Sequence, residues 1–287
     1  MLDRRSFLSL AAAGISVTAL VGCGGSPAAT DSTSESEDNA EAAGTGAVDT
    51  GKLIVGFDSS YPPYGYVGDD GEYTGFDLEL AQEVAARNDW EVQLEPIDWD
   101  AKDTLLDSGA INCIWNGFTM EGREEDYTFS EPYMLNGQVI VVRADSGIAS
   151  FDDLAGRAVI TQVDSAAYNV LAGEDATQAE LAATFASLET IGDYNTAFMQ
   201  LESGAVDAVA CDLSISAYQL AAKPDAYIQL DEFLSEEHYA VGFKKGVDAT
   251  AEAVNESLRA MDEDGFVSEL CEKYGEDGIS YDNWCLE

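Results

Sequence analysis

The chain has 287 residues, 46% of them hydrophobic and 10% aromatic, enough for one large or two medium globular domains. Its 13 basic residues against 55 acidic ones leave a net charge of −42, which excludes nucleic acid and anionic lipid as electrostatic partners. With a single histidine, His238, and no zinc-like spacing among its five cysteines, the chain gives no ground to expect a metal, a cofactor or a Ser-His-Asp device.

The first residues read as a targeting segment. Asp3-Arg4-Arg5-Ser6-Phe7-Leu8 resembles a twin-arginine export signal. The apolar run behind it, residues 8–21, is short for a membrane span. It ends in Leu20-Val21-Gly22-Cys23, similar to a bacterial lipobox, in which the peptide is cut before a cysteine that becomes acylated. Residues 1–23 are therefore expected to be a lipoprotein signal, with the protein exported and lipid-anchored through Cys23 to the outer face of the cytoplasmic membrane. Residues 24–51 are rich in Ala, Gly, Ser, Thr, Asp and Glu, and residues 24–50 contain no aromatic side chain, so they read as a tether. The folded part begins at Lys52.

Lys52-Leu53-Ile54-Val55-Gly56-Phe57 reads as a buried strand, followed by the proline-stiffened loop Asp58-Ser59-Ser60-Tyr61-Pro62-Pro63-Tyr64 and a hairpin over residues 67–73. A helix opens at Gly75-Phe76-Asp77, with Phe76, Leu80 and Val84 forming an apolar stripe beside Ala81 and Ala85. Residues 91–96 are a second strand, and Trp99 leads into a helix ending at Gly109. The run Ala110-Ile111-Asn112-Cys113-Ile114-Trp115 is a buried strand that delivers the loop Asn116-Gly117-Phe118-Thr119-Met120-Glu121-Gly122-Arg123. Strands are then expected over 138–143, 157–161, 186–191, 205–210 and 238–243. Helices are expected over 166–172, 194–202, 247–261 and 266–274. Cys113 and Cys211 read as buried thiols, whereas Cys271 and Cys285 are close enough in sequence to clasp the C-terminal tail as a disulfide.

One phrase occurs twice. Leu106-Asp107-Ser108-Gly109-Ala110-Ile111-Asn112 and Leu201-Glu202-Ser203-Gly204-Ala205-Val206-Asp207 are the same helix–glycine–strand unit. The first copy leads to Asn116-Gly117 and the second to Asp212. Two βα halves, each aiming a strand's carboxyl end at polar residues, imply two similar lobes facing one cleft.

The Asp58–Tyr64 loop, the Gly75-Phe76-Asp77 phrase, the Asn116–Arg123 loop with Phe129-Ser130-Glu131-Pro132-Tyr133, and Ala210-Cys211-Asp212 together resemble the extracellular solute-binding proteins that deliver polar amino acids to ABC importers. The resemblance spans residues 52–274. It implies an α/β clamp of the periplasmic-binding-protein type, each lobe a mostly parallel sheet flanked by helices. Residues 52–136 plus 238–287 would form lobe 1 and residues 137–237 lobe 2, joined by two crossing strands with hinges at 136–138 and 233–238. It further implies a monomer that captures a free amino acid and hands it to membrane permease subunits, without catalysis.

Carried over residue by residue, Arg123 pairs with the ligand's α-carboxylate, a match for a planar guanidinium. Thr119, Ser165 and Ala166 complete that anion site. Asp212 receives the α-ammonium with help from the Gly117 carbonyl and the Thr119 hydroxyl. Tyr61 and Trp99 flank the ligand's side chain and Asp58 meets its tip, with Asn116 alongside. Each also has a plainer reading: Trp99 as core, Asp212 as a helix cap, Asp58 and Asn116 as loop organisers. The turn from Thr119 to Arg123 has three intervening residues where the family commonly has four. No second basic residue stands near these positions, so a neutral polar or cationic amino acid (cystine, glutamine, histidine or arginine) is expected over glutamate or aspartate. A dehydratase of prephenate-like acids on the same scaffold, or a ligand-sensing module, are the alternatives.

Overall fold

A computed structural model of the chain describes residues 51–286; the expected signal with Cys23, and the tether up to residue 50, lie outside the described residues. The hydrophobic run at the start of the folded part is β1 (Lys52–Phe57). Three short strands, β2 (Ser60–Tyr61), β3 (Gly65–Val67) and β4 (Tyr73–Thr74), pair antiparallel as a small separate sheet over the expected hairpin. In α1 (Phe76–Arg87) the stripe Phe76, Leu80, Ala81, Val84 and Ala85 is buried, as its 3.6-residue spacing requires. Then come β5 (Glu91–Pro96), α2 (Lys102–Ser108), β6 (Cys113–Ile114), β7 (Tyr127–Phe129) and the long β8 (Met134–Arg143).

The second half repeats the plan with β9 (Ala158–Gln162), α3 (Ala166–Ala172), α4 (Ala179–Ala182), β10 (Ser187–Ile191), α5 (Tyr194–Ser203), β11 (Ala208–Asp212) and α6 (Leu213–Ala222). The chain returns through β12 (Tyr227–Tyr239) and β13 (Gly242–Lys244) and closes with α7 (Asp248–Glu263) and α8 (Phe266–Lys273).

Two five-stranded sheets result, ordered β5-β1-β6-β13-β7 and β10-β9-β11-β8-β12. Each starts as a parallel 2-1-3 arrangement, and each is antiparallel on its other side. This corrects the expectation of mostly parallel sheets. One strand in each sheet, β13 in the first and β8 in the second, runs against its neighbours on both sides, so half of the pairings are antiparallel. The long pair β8–β12 runs from Met134 opposite Tyr239 to Arg143 opposite Tyr227, and residues 136–138 and 233–238 lie within it.

The repeated phrase is a repeated structure. Gly109 and Gly204 end α2 and α5 in the left-handed region at φ +77° and +75°, where glycine carries no Cβ penalty. Three residues on, Asn112 accepts from the Ile54 N–H at 2.7 Å, and Asp207 accepts from the Ala158 N–H at 2.9 Å. In each half the side chain at the equivalent position ties the third strand to the first. That registers the carboxyl ends of β6 and β11, and hence the loops that follow them.

The expected Cys271–Cys285 bridge is not formed; both are free thiols, as are Cys113 and Cys211. Cys271 is buried on α8. The tail instead runs beside β8, with Trp284 bridged to Met134 and the Cys285 N–H donating to the Tyr133 carbonyl at 3.0 Å. Proximity in sequence did not fix that direction. Burial pushes the Cys271 thiol up to about 12 and the Cys285 thiol to about 11.

Candidate functional site

The loop after β6 is built on a tight turn. The Arg123 N–H donates to the Met120 carbonyl at 3.1 Å, with Gly122 at φ +78° in the third position. The turn sits on the end of β12 through Met120 N–H to the His238 carbonyl, 3.0 Å, and Ala240 N–H to the Phe118 carbonyl, 3.0 Å. Glu121 is spent on His238, accepting from its backbone N–H at 2.9 Å and bonding its ring Nδ1 at 2.6 Å. Arg123 turns inward. It is 8% exposed, its guanidinium lies 4.8 Å from the centre of the Phe118 ring, and Nη1 donates to the Thr119 carbonyl at 2.9 Å. It makes no ion pair with any described carboxylate, although four acidic residues lie within three positions of it. A buried guanidinium without a counter-charge is costly.

Gly117 stands at φ +56°, and a Cβ there would come within 3.0 Å of the Tyr61 ring and 3.1 Å of Tyr239. Its N–H donates to Asp77 at 2.6 Å, and Asp77, fully buried in the first turn of α1, also accepts from the Tyr133 hydroxyl at 2.8 Å. Burial raises the Asp77 carboxyl to about 7.

Asp212 closes β11 and precedes α6. Its side chain makes no capping bond to that helix. Its Oδ1 instead accepts from Gln138 Nε2 at 2.6 Å, Tyr239 OH at 3.0 Å and Asn136 Nδ2 at 3.1 Å. Burial raises its pKa. Ser165 caps α3, accepting from the Tyr168 N–H at 3.1 Å, so the loop after β9 is held by its own helix.

These groups meet. Tyr61, Trp99, Gly117, Thr119, Arg123, Ser165, Ala166 and Asp212 line one narrow cleft with a cavity volume of about 10 Å³. Sequence reasoning missed a ninth lining residue, Gln162, at the end of β9. It explains where Asp58 went. The Asp58 carboxylate accepts from Gln162 Nε2 at 2.7 Å and from the Ser60 N–H at 2.7 Å, so it lies behind Gln162 rather than on the cleft wall. Asn116 likewise stands back, its Oδ1 accepting from the Asp58 N–H at 3.0 Å. Trp99 is wall and core at once, with its ring against Phe118 and its Nε1 donating to the Asp164 carbonyl at 3.3 Å.

Two further features escaped the sequence. Lys102, 2% exposed on α2, pairs with Asp164, with its Nζ 5.3 Å from the centre of the Trp99 ring. A second basic residue therefore does stand near the cleft, already matched by a carboxylate. Glu237, 3% exposed on β12, accepts at Oε1 from Asn136 Nδ2 and Gln138 Nε2, both 2.7 Å, and from Thr119 Oγ1 at 2.8 Å. The Thr119 hydroxyl, expected to face the ligand's ammonium, is thus donated to Glu237. Burial and the neighbouring Asp212 raise Glu237 to about 7.

The sequence pattern of the bacterial extracellular solute-binding proteins, family 3, matches residues 53–277. The L-cystine-binding protein TcyJ of Escherichia coli K12 is 32% identical over 232 residues, covering 78% of this chain and 82% of TcyJ. Among solved structures, an ABC uptake transporter substrate-binding protein from Streptococcus pneumoniae with bound histidine superposes with a TM-score of 0.75 at 31% identity, over 80% of this chain and 94% of that one. The ancestral amino acid-binding protein AncCDT-1, a precursor of cyclohexadienyl dehydratase, does so with a TM-score of 0.70 at 30% identity, over 78% and 95%. The chain belongs to the bacterial extracellular solute-binding proteins, family 3.

Proposed function

We propose that the protein captures a free polar amino acid, neutral or cationic, in this cleft and delivers it to an ABC importer. The observation that carries the reading is the buried Arg123, without a carboxylate partner among the described residues and lining the same cleft as Asp212. The α-carboxylate of an amino acid supplies the missing counter-charge through two parallel hydrogen bonds, and its α-ammonium goes to Asp212. Tyr61 and Trp99 hold the side chain between them, with Gln162, backed by Asp58, at its tip. The moving bodies are residues 52–136 plus 238–286 and residues 137–237, with the β8–β12 pair as hinge; contacts made to both sides at once drive closure. Cystine, named for TcyJ, and histidine, named for the pneumococcal structure, both suit the site. Glutamate and aspartate do not, because Lys102 is already paired. The mature protein is a monomer held to the membrane by an acylated Cys23.

The test is a thermal-shift and calorimetric screen of the amino acids, cystine included, on the wild type and Arg123→Ala. Micromolar or tighter binding, about −8 kcal/mol or beyond, is expected for at least one neutral or cationic amino acid. A folded Arg123→Ala variant should bind none. Wild-type affinity in that variant, or glutamate as the tightest ligand, would refute the assignment. Incubating the best binder and prephenate with the protein and looking for product separates capture from the chemistry of the AncCDT-1 lineage.

A further inference from the structure

We propose that amino-acid capture by this protein is coupled to release of a proton from the Asp212–Glu237 carboxylate pair, so that affinity rises with pH through neutrality. The inference rests on the reading of Asp212 as the ammonium site. The two carboxylates come from different strands, β11 and β12, yet share the same donors. Asn136 Nδ2 donates to Asp212 Oδ1 at 3.1 Å and to Glu237 Oε1 at 2.7 Å, and Gln138 Nε2 donates to the same two oxygens at 2.6 and 2.7 Å. Two oxygens resting on one amide nitrogen are roughly 5 Å apart at most, where like charges repel strongly in a dry setting.

No cation balances them. Among the described residues neither carboxylate has a salt-bridge partner, and Arg123 directs Nη1 to the Thr119 carbonyl. The other groups facing the pair are neutral: the hydroxyls of Thr119, Tyr239 and Tyr61, the last 3.2 Å from the Tyr239 hydroxyl and also bonded to Asp212. Two buried carboxylates without a cation hold one negative charge more easily than two, so one proton stays in the empty site. An arriving ammonium replaces that proton. Glu237, raised to about 7 by burial and by Asp212, is the group that gives it up to solvent. Below that value the ligand competes with the proton, and apparent affinity should fall by up to tenfold per pH unit.

Tyr64, Tyr194 and Cys211 also interact with Asp212, and burial raises the pKa of each, which keeps it neutral. Three carboxyl and imidazole groups stand further back. Asp77 is held by Gly117 and Tyr133, Asp58 by Gln162 and Ser60, and His238 by Glu121 on the exposed face of β12; none of them is hydrogen-bonded to the pair. The experiment is isothermal calorimetry of L-glutamine, L-arginine and L-cystine at pH 6, 7 and 8. Each titration is run in two buffers of different ionisation enthalpy, on the wild type, Glu237→Gln and His238→Asn. Expected is release of a fraction of one proton at pH 6–7, a roughly tenfold or greater loss of affinity from pH 8 to 6, and both effects absent in Glu237→Gln but present in His238→Asn. Binding without proton release by the wild type, or release that persists in Glu237→Gln, overturns the coupling. The wild-type buffer comparison decides it alone if Glu237→Gln does not fold. No binding of any of the three amino acids overturns the functional reading instead.

Discussion

Asp164→Asn should weaken ligand retention without touching a ligand contact. Lys102 on α2 and Asp164 in the loop after β9 pair across the cleft, and the Trp99 indole N–H reaches the Asp164 carbonyl at 3.3 Å from the same turn. Asp164 holds φ +57°, a left-handed conformation that asparagine also adopts, so the substitution removes charge and leaves the backbone alone. Losing one partner of a fully buried pair costs about 3–5 kcal/mol. Here the Asp164 side chain is 43% exposed, and solvent screening brings the figure nearer 1–2 kcal/mol. On the proposed hinge, opening the cleft would separate the pair, so the loss should fall on the closed state: roughly a 5- to 30-fold higher Kd, carried by a faster off-rate. Lys102→Met should do less, since the half-exposed Asp164 it leaves behind is solvated whereas the lysine left by Asp164→Asn is not. Stopped-flow tryptophan fluorescence, with the best ligand from the screen and Trp99→Phe as the control that assigns the signal, reads both rates. An unchanged off-rate in Asp164→Asn, or a larger effect from Lys102→Met, would refute the assignment of this pair as a cross-cleft latch.

Gly117→Ala must place a Cβ at φ +56° and within 3.0 Å of Tyr61, about 1–2 kcal/mol of backbone strain before any ring moves. A lowered melting temperature and more than tenfold weaker binding are expected, because Tyr239, which is displaced too, bonds Asp212. Asp77 titrates at about 7 when folded and near 3.8 when unfolded, so the native state holds its proton over that window. Stability should therefore fall as pH rises from about 4 to 7, by a contribution of roughly 4 kcal/mol, and Asp77→Asn should flatten that slope in urea unfolding at pH 5 and 8. Thiol titration of a protein starting at residue 51 should find slow reaction at pH 7.5 when native and four free thiols in denaturant. Two would restore the C-terminal clasp.

The cleft was largely legible because most of its residues sit where a strand ends and a loop begins. Gly117 and Asp212 could be placed by the repeated helix–glycine–strand phrase, whose two glycines and two tying side chains, Asn112 and Asp207, play the same parts in both halves, while Arg123 and Thr119 came with the resemblance to the solute-binding proteins. What escaped depends on pairing between distant strands. Glu237 faces the site only because β12 lies against β8 with register shifts between Gln229 and Phe233 and between Phe233 and Ser235. Those irregularities break the period-two alternation, so β12 reads as a short strand from 238 when it begins at Tyr227. Lys102 escaped for a related reason. It looks like a solvated helix residue until a loop from the other half, 62 residues away, arrives with a carboxylate. Asp58 and Asn116 were placed one layer too far forward, since nothing local reveals that Gln162 stands between them and the cleft.

The acidity of the chain makes Arg123 informative. With 55 acidic residues, a guanidinium left to local attraction would take one of them, and Glu121, Glu124, Glu125 and Asp126 are all within three positions. The turn prevents it. Gly122 at φ +78° reverses the chain, Glu121 is drawn off to His238, and the Thr119 carbonyl and Phe118 ring receive the guanidinium on the inner side. On the same inner side, Asp212 and Glu237 have amides and hydroxyls but, among the described residues, no cation. A fold under selection for stability alone would let these charges meet one another. Holding the cation and the anions apart across one small cleft raises the energy of the empty site. A molecule bearing both charges a few bonds apart lowers it again, whereas a simple anion or cation relieves only half of the imbalance. On the proposed site, discrimination for a zwitterion is set by what the protein's own charges are prevented from doing.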